Sequence, residues 1–181
     1  MPGETKSKRN EGDFYRTPPE IVEEILREWK PAVPPATILE PAAGDGAMLG
    51  PLRTAFPDAV IDAFDVAPRH PDIKQRTFFM EQDGRYDLII TNPPFRHALD
   101  FAERSLAMLN PGGHLILFLR LQFMASKKRS RFFKMHLPEA VYVLPQRPSF
   151  KNGTTDWSDY CWMVWRAGGK RRTFVGRVMR T

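Results

Sequence analysis

The chain has 181 residues, 42% hydrophobic and 12% aromatic, which excludes a disordered protein and suffices for one domain with a real core. No apolar run approaches the roughly 18 residues of a membrane span, and the single cysteine excludes an intrachain disulfide or a cysteine-based zinc cluster. The net charge of +6 is concentrated in two acid-free stretches: Arg120, Lys127, Lys128, Arg129, Arg131 and Lys134 in one, and Arg166, Lys170, Arg171, Arg172, Arg177 and Arg180 in the other. Two such clusters favour a nucleic-acid partner over a small substrate.

Residues 1–12 read as a disordered basic tail without the apolar segment of a secretory signal, so a cytoplasmic protein is expected. One domain is expected over residues 13–167, followed by a basic C-terminal tail over 168–181. The first helix is expected to start at Thr17 as N-cap, with Pro18 in its first turn and Glu20 closing a capping box. Ile21, Val22, Ile25, Leu26 and Trp29 then share one face. The segment ATILEPAAGDGAML reads as a short apolar strand, a glycine-bearing turn and a helix to about Phe56.

AVIDAFD is expected to be a second strand ending at Asp65, TFFM a third and YDLIIT a fourth. That fourth strand stops on Asn92-Pro93-Pro94-Phe95, because proline cannot donate to a sheet ladder. A helix over 98–109 closes on Asn110-Pro111-Gly112-Gly113, and HLILFLR is apolar enough for a strand buried on both faces. A basic helix over 126–136 and two more strands, AVYVLP and DYCWMVWRA, complete the series. Cys161 lies in the last of these and reads as a core residue. Strands alternating with helices predict an α/β fold whose mostly parallel sheet is covered on both sides, with ligands beyond the carboxyl ends of the strands.

LEPAAGDG (39–46) fits neither a dinucleotide fingerprint nor a phosphate loop. Its small residues Ala42, Ala43, Gly44 and Gly46 permit close approach to a ligand, while the acid Glu40 suits a cation with ribose hydroxyls better than a pyrophosphate. Asp65 closes the next strand about 20 residues on, where a carboxylate can accept both ribose hydroxyls. The four histidines show no metal-ligand spacing, and no metal is expected.

LEPAAGDG, Asp65 and NPPF together resemble the class I S-adenosylmethionine-dependent methyltransferases that modify amino groups, in particular the N6-adenine DNA methyltransferases. DFYRTPPEIVEEIL resembles the segment that closes over the methionine end of the cofactor in several of them. RPSF (147–150) with GTTDWSDYCWMVW resembles the late motif and last hairpin of short stand-alone bacterial and phage-type members. The resemblance implies a Rossmann-like domain with a seven-stranded, mostly parallel sheet, helices on both faces and an antiparallel last hairpin. It implies S-adenosylmethionine as cofactor, bound by Thr17, Glu40, Ala42, Gly44, Asp65 and Asn92, with Thr17 near the methionine carboxylate. The acid that contacts the cofactor adenine in the family would be Glu81 or Asp83 here, neither standing at a strand end.

Asn92, Pro93, Pro94 and Phe95 are the implied catalytic residues. The exocyclic nitrogen of adenine is a poor nucleophile, because its lone pair is delocalised. Acceptors on its N–H bonds, the Asn92 side-chain oxygen and the Pro93 carbonyl, would draw it towards tetrahedral geometry. The two prolines fix the backbone that aims them, so little reorganisation is needed in the transition state. Phe95 would stack on a flipped base and Phe150 offer a second apolar face, with Lys127, Lys128 and Arg129 on the nucleic-acid backbone. The expected activity is adenine-N6 methylation of DNA. Because no segment is long enough for a target-recognition domain, specificity is expected to be low or supplied by a partner protein. The same chemistry on RNA adenine or on a protein glutamine, and a non-catalytic nucleic-acid-binding module, are the alternatives.

Overall fold

The computed structural model describes residues 16–80, 84–146, 148–151, 154–155, 158–169 and 173–177, without the side chains of 149–151, 154–155 and 177. The tail over 1–12, the adenine-contact candidates Glu81 and Asp83, and the Phe150 side chain lie outside the described residues. Among the described residues no helix is long and apolar enough to cross a membrane.

Among the described residues, helices α1 (Pro19–Glu28), α2 (Leu49–Ala55), α3 (Ala98–Ala107) and α4 (Ser130–Met135) accompany ten strands. The first five are β1 (Thr37–Glu40), β2 (Val60–Asp65), β3 (Lys74–Gln75), β4 (Tyr86–Thr91) and β5 (Leu109–Arg120). The rest are β6 (Ala140–Val143), β7 (Ser149–Lys151), β8 (Thr154–Thr155), β9 (Tyr160–Arg166) and β10 (Phe174–Arg177). Eight form one sheet in the order β10-β6-β9-β5-β4-β1-β2-β3, and β7 pairs with β8 in a separate ribbon. Within the eight-stranded sheet pairing is parallel except where β9 meets β5 and β6, and the β7–β8 ribbon is antiparallel. The architecture is therefore the expected Rossmann-like one, a mostly parallel sheet with an antiparallel pairing near its end.

Period-two patterning gives the central strands two buried faces. On one, Leu88 and Ile90 of β4, Ile116 and Phe118 of β5, and Trp162 and Val164 of β9 pack with Ile21, Val22 and Ile25 of α1. On the other, Ile89, Leu115, Leu117, Cys161, Met163 and Trp165 pack with Phe101 and Ala102 of α3 and Phe132 of α4. Burial on both faces is why these strands read as continuous apolar runs. Cys161 is 0% exposed, its Sγ donates to the Leu119 carbonyl at 3.6 Å, and burial pushes its thiol up to about 12.

Four expectations change. The third strand is Lys74–Gln75, not TFFM. Phe78–Met80 form a 3-10 turn that buries Phe78 against Phe101, ring centroids 4.8 Å apart. Thr17 is not the N-cap of α1: Pro18 occupies that position without a side-chain cap bond, and the Thr17 hydroxyl is used elsewhere. The basic helix begins as a 3-10 turn over Lys127–Arg129. Lastly, Phe174–Arg177, expected within the tail over 168–181, add an eighth strand, parallel to β6 at the sheet edge. Its basic flanks hid it, since only Phe174 and Val175 carry a strand signal.

The sheet reverses direction between β1 and β4, which pair in parallel. At their amino ends Asp87 clamps the pair. Its Oδ2 accepts from the Ala36 and Thr37 amides, both at 3.0 Å, and from Thr37 Oγ1 at 3.1 Å, while Oδ1 accepts from Asn110 Nδ2 at 2.8 Å. The carboxyl ends of four adjacent strands, at Asp65, Glu40, Thr91 and Arg120, then share the rim where ligands of such sheets bind.

Leu88, fully buried on a strand beside the reversal, should be costly to truncate. Leu88→Ala is expected to lose about 2–5 kcal/mol in urea unfolding. Val60→Ala, at a side chain 67% exposed, should stay within about 0.5 kcal/mol.

Candidate active site

The turn after β1 is built from backbone bonds that need glycine. Gly44 and Gly46 hold φ of 54° and 78°, a region that side chains disfavour. Gly44 N–H donates to Asp65 Oδ2 at 2.9 Å, and Arg69 N–H donates back to the Gly44 carbonyl at 2.8 Å. Asp65 Oδ1 accepts from Ala67 N–H at 2.8 Å. Asp65 thus ties the turn to the end of β2, and each carboxylate oxygen keeps a second lone pair for a ligand hydroxyl.

Glu40, the last residue of β1, is 2% exposed, and its Oε2 is buried without a hydrogen-bond partner among the described residues. Burial, then the nearby carboxylates of Asp45 and Asp65, push its pKa from 4.5 up to about 8. Asp45 is itself held by Arg16, whose Nε donates at 2.6 Å across the approach to the site. An acid kept short of both water and counter-charge fits a cationic group of a ligand.

The backbone leaves β4 through Asn92, buried Pro93 and exposed Pro94 into a 3-10 turn over Phe95–His97, where His97 N–H donates to the Pro94 carbonyl at 2.8 Å. The Asn92 amide is oriented from the other end of the chain: its Nδ2 donates to Thr17 Oγ1 at 3.0 Å. With the nitrogen committed to Thr17, Asn92 presents Oδ1 as its acceptor. Thr17 is 4% exposed just ahead of α1, whose buried face anchors it.

One cavity of about 520 Å³ is lined by Thr17, Glu40, Ala42, Gly44, Asp65 and the whole Asn92–Phe95 run. Its size is that of a site for a cofactor-sized ligand. The structure thus brings together residues as far apart in the chain as Arg16 and Arg120. Acids Glu40, Asp45 and Asp65 line it together with the arginines Arg16, Arg69, Arg96 and Arg120.

Lys127, Lys128 and Arg129 do not line this cavity. Lys127 and Lys128 are exposed, and Lys128 borders a separate groove beside α3. Arg129 is engaged internally: it donates to the Phe123 and Gln122 carbonyls at 2.5 and 3.2 Å and lies 4.5 Å from the Phe123 ring centre. Sequence reasoning missed Arg16, Asp45 and Arg120. Arg120 ends β5, and the strand-end rule applied to HLILFLR would have found it. Among the described residues no group of three or more His, Cys, Asp or Glu side chains could hold a metal ion.

No protein-family model matches the sequence, and no curated protein does. Solved structures do match. The type I restriction-modification methyltransferase subunit of Streptococcus thermophilus is 13% identical with a TM-score of 0.66, over 92% of this chain and 47% of that one. A Pyrococcus horikoshii protein assigned as an RNA methyltransferase is 12% identical with a TM-score of 0.66, over 88% and 91%. A Listeria monocytogenes protein assigned as a class I S-adenosylmethionine-dependent methyltransferase is 14% identical with a TM-score of 0.59, over 88% and 62%. This chain therefore spans about half the length of the restriction-modification subunit and under two thirds of the Listeria protein. At these identities the likeness establishes the fold, that of class I methyltransferases.

Glu40 should mark the pH dependence of stability in the ligand-free protein. Between its unfolded value of 4.5 and its folded value of about 8, the folded state keeps a proton that the unfolded chain has released. The stabilisation is thus full below about pH 4.5 and is lost as pH rises through about 8. Glu40→Gln retains the shape and removes the titration. Its unfolding midpoint is expected to gain on the parent protein progressively as pH is raised over this range.

Proposed function

We propose that the chain binds S-adenosylmethionine and methylates the N6 amino group of adenine in DNA with little sequence specificity. The observation that carries this reading is that one cavity joins the glycine turn with its two acids to the proline-braced Asn92. The unpartnered Glu40 oxygen suits the cationic methionine end of the cofactor, and Asp65 its ribose hydroxyls. When bound, the cofactor supplies a methyl group activated on a sulfonium. The chain's own residues position and polarise the acceptor. Asn92 Oδ1 and the Pro93 carbonyl take the two N–H bonds of the target amine and draw its nitrogen out of conjugation. Thr17 keeps the amide from turning its nitrogen towards that amine. Such preorganised dipoles strengthen as the nitrogen gains positive charge.

The restriction-modification likeness supports a DNA target and a partner subunit that would supply specificity. One observation favours a second reading, RNA adenine: the Pyrococcus horikoshii protein is matched over nearly its whole length. The two readings separate on incubation with radiolabelled S-adenosylmethionine and DNA, RNA or protein pools, followed by nucleoside analysis. N6-methyladenine in DNA supports the first reading. Label in RNA alone selects the second, and label in neither nucleic acid overturns both.

Asn92→Ala is expected to lower turnover by about 10²–10³ at saturating cofactor while leaving cofactor affinity near that of the parent. Asp65→Ala should do the reverse, weakening cofactor binding by about 1–3 kcal/mol in calorimetry. Binding to duplexes of unrelated sequence should weaken in parallel as salt rises, through counterion release at each neutralised phosphate. One duplex bound hundreds of times tighter than the rest would overturn the low-specificity part of the proposal.

A further inference from the structure

The ring of Phe95 is covered by an arginine. The Arg120 guanidinium lies 4.6 Å from its centre, stacking distance for a planar cation on an aromatic face. Arg120 is the last residue of β5 and lines the same cavity as Asn92 and Phe95. Its Nε donates to the Tyr160 hydroxyl at 3.3 Å, and the two residues are partners in the β5–β9 register. Tyr160 also touches Phe95, with ring centres 5.9 Å apart. These two neighbours of the ring differ in burial. Tyr160 is 1% exposed and stacked at 5.2 Å and 9° on Phe118, itself fully buried, so it is fixed by the core. Arg120 is half-buried on a long flexible stem, and its bond to Tyr160 is near the limit of length.

We infer that Arg120 is a positioning residue that holds the base-stacking face of Phe95 closed and yields it to an incoming adenine, moving its charge to that nucleotide's phosphate. This rests on the reading of Phe95 as a base platform. A guanidinium and a base cannot share one ring face at 4.6 Å. A base stacked there is worth more than a half-exposed guanidinium, so exchange is favourable. The displaced planar fork matches a phosphate, and the cavity holds further arginines, Arg96 among them, that favour an anion. An unflipped base would not displace Arg120, so entry to the site depends on extrusion and phosphate contact together.

Two ligands separate the two roles: adenosine, which has a base and no phosphate, and a short adenine-containing single strand. Binding of each is measured by calorimetry to the full chain saturated with S-adenosylhomocysteine, for the parent protein, Arg120→Ala and Arg120→Lys. Both variants clear the ring and should bind adenosine about fivefold tighter than the parent. With the single strand, Arg120→Ala should lose the phosphate contact and bind more weakly, its salt slope reduced by about 0.7. Arg120→Lys should keep the parent's slope. A purely structural role would weaken both ligands together. Adenosine affinity unchanged or reduced in both variants, no adenosine binding by any of the three proteins, or an unchanged slope in Arg120→Ala would each overturn the inference. A parent protein that shows the opposed pattern yet transfers no methyl group leaves Arg120's role standing and overturns the proposed activity. Methyl transfer without the opposed pattern does the converse.

Discussion

The parallel pairing of β1 with β4 is the constraint on which the rest of the molecule depends. These two strands are far apart in sequence and flank the point where the sheet reverses its winding, so a crevice opens beyond their carboxyl ends. Their register is secured at the opposite end. Asp87 binds two successive amides and a hydroxyl at the start of β1, and Thr37 Oγ1 accepts from the Asp87 amide in return, at 3.1 Å. A slip of one residue would break this exchange and invert every buried side chain of β4. With the amino ends locked, Glu40 and Asn92 have no choice of where to emerge.

Stability and site chemistry pull apart at that rim. The core below is apolar on both faces of the central strands, and a carboxyl at Glu40 is a cost it carries. Near neutral pH the carboxyl meets that cost by keeping a proton. A cation arriving from outside replaces the proton, so in the proposed function the residue least suited to the folded core is the one that recognises the ligand. Asp65, by contrast, is satisfied by the Gly44 and Ala67 amides before any ligand arrives. One acid is poised and the other is built in.

How much of this was legible in the sequence follows from which signals are local. The strands buried on both faces announce themselves as apolar runs, and the glycine turn and the Asn-Pro-Pro stop are visible because small residues and prolines have few other uses there. β3 left no trace, since its two residues, Lys74 and Gln75, are exposed and owe their pairing to β2 alone. TFFM misled for the opposite reason: its aromatic content is strand-like, but Phe78 is a plug reaching Phe64 and Phe101. Thr17 lines the cavity, yet its capping pattern pointed to a different bond. Its partner Asn92 lies 75 positions away, and no local motif encodes such a contact. The stacking of Arg120 on Phe95 is of the same kind.

The lone cysteine has a different consequence. Cys161 sits between Leu119 of β5 and Val143 of β6, with no exposed surface and a thiol that burial keeps protonated far above neutrality. A thiol reagent can reach it only after α3 and α4 lift from the face it packs on or those three strands part, and reaction needs the thiolate as well as access. Alkylation under native conditions therefore reports the opening of this layer between the sheet and α3 and α4, and is silent to fraying at the β10 edge. The chain carries its own clock for that opening, set in its most protected layer.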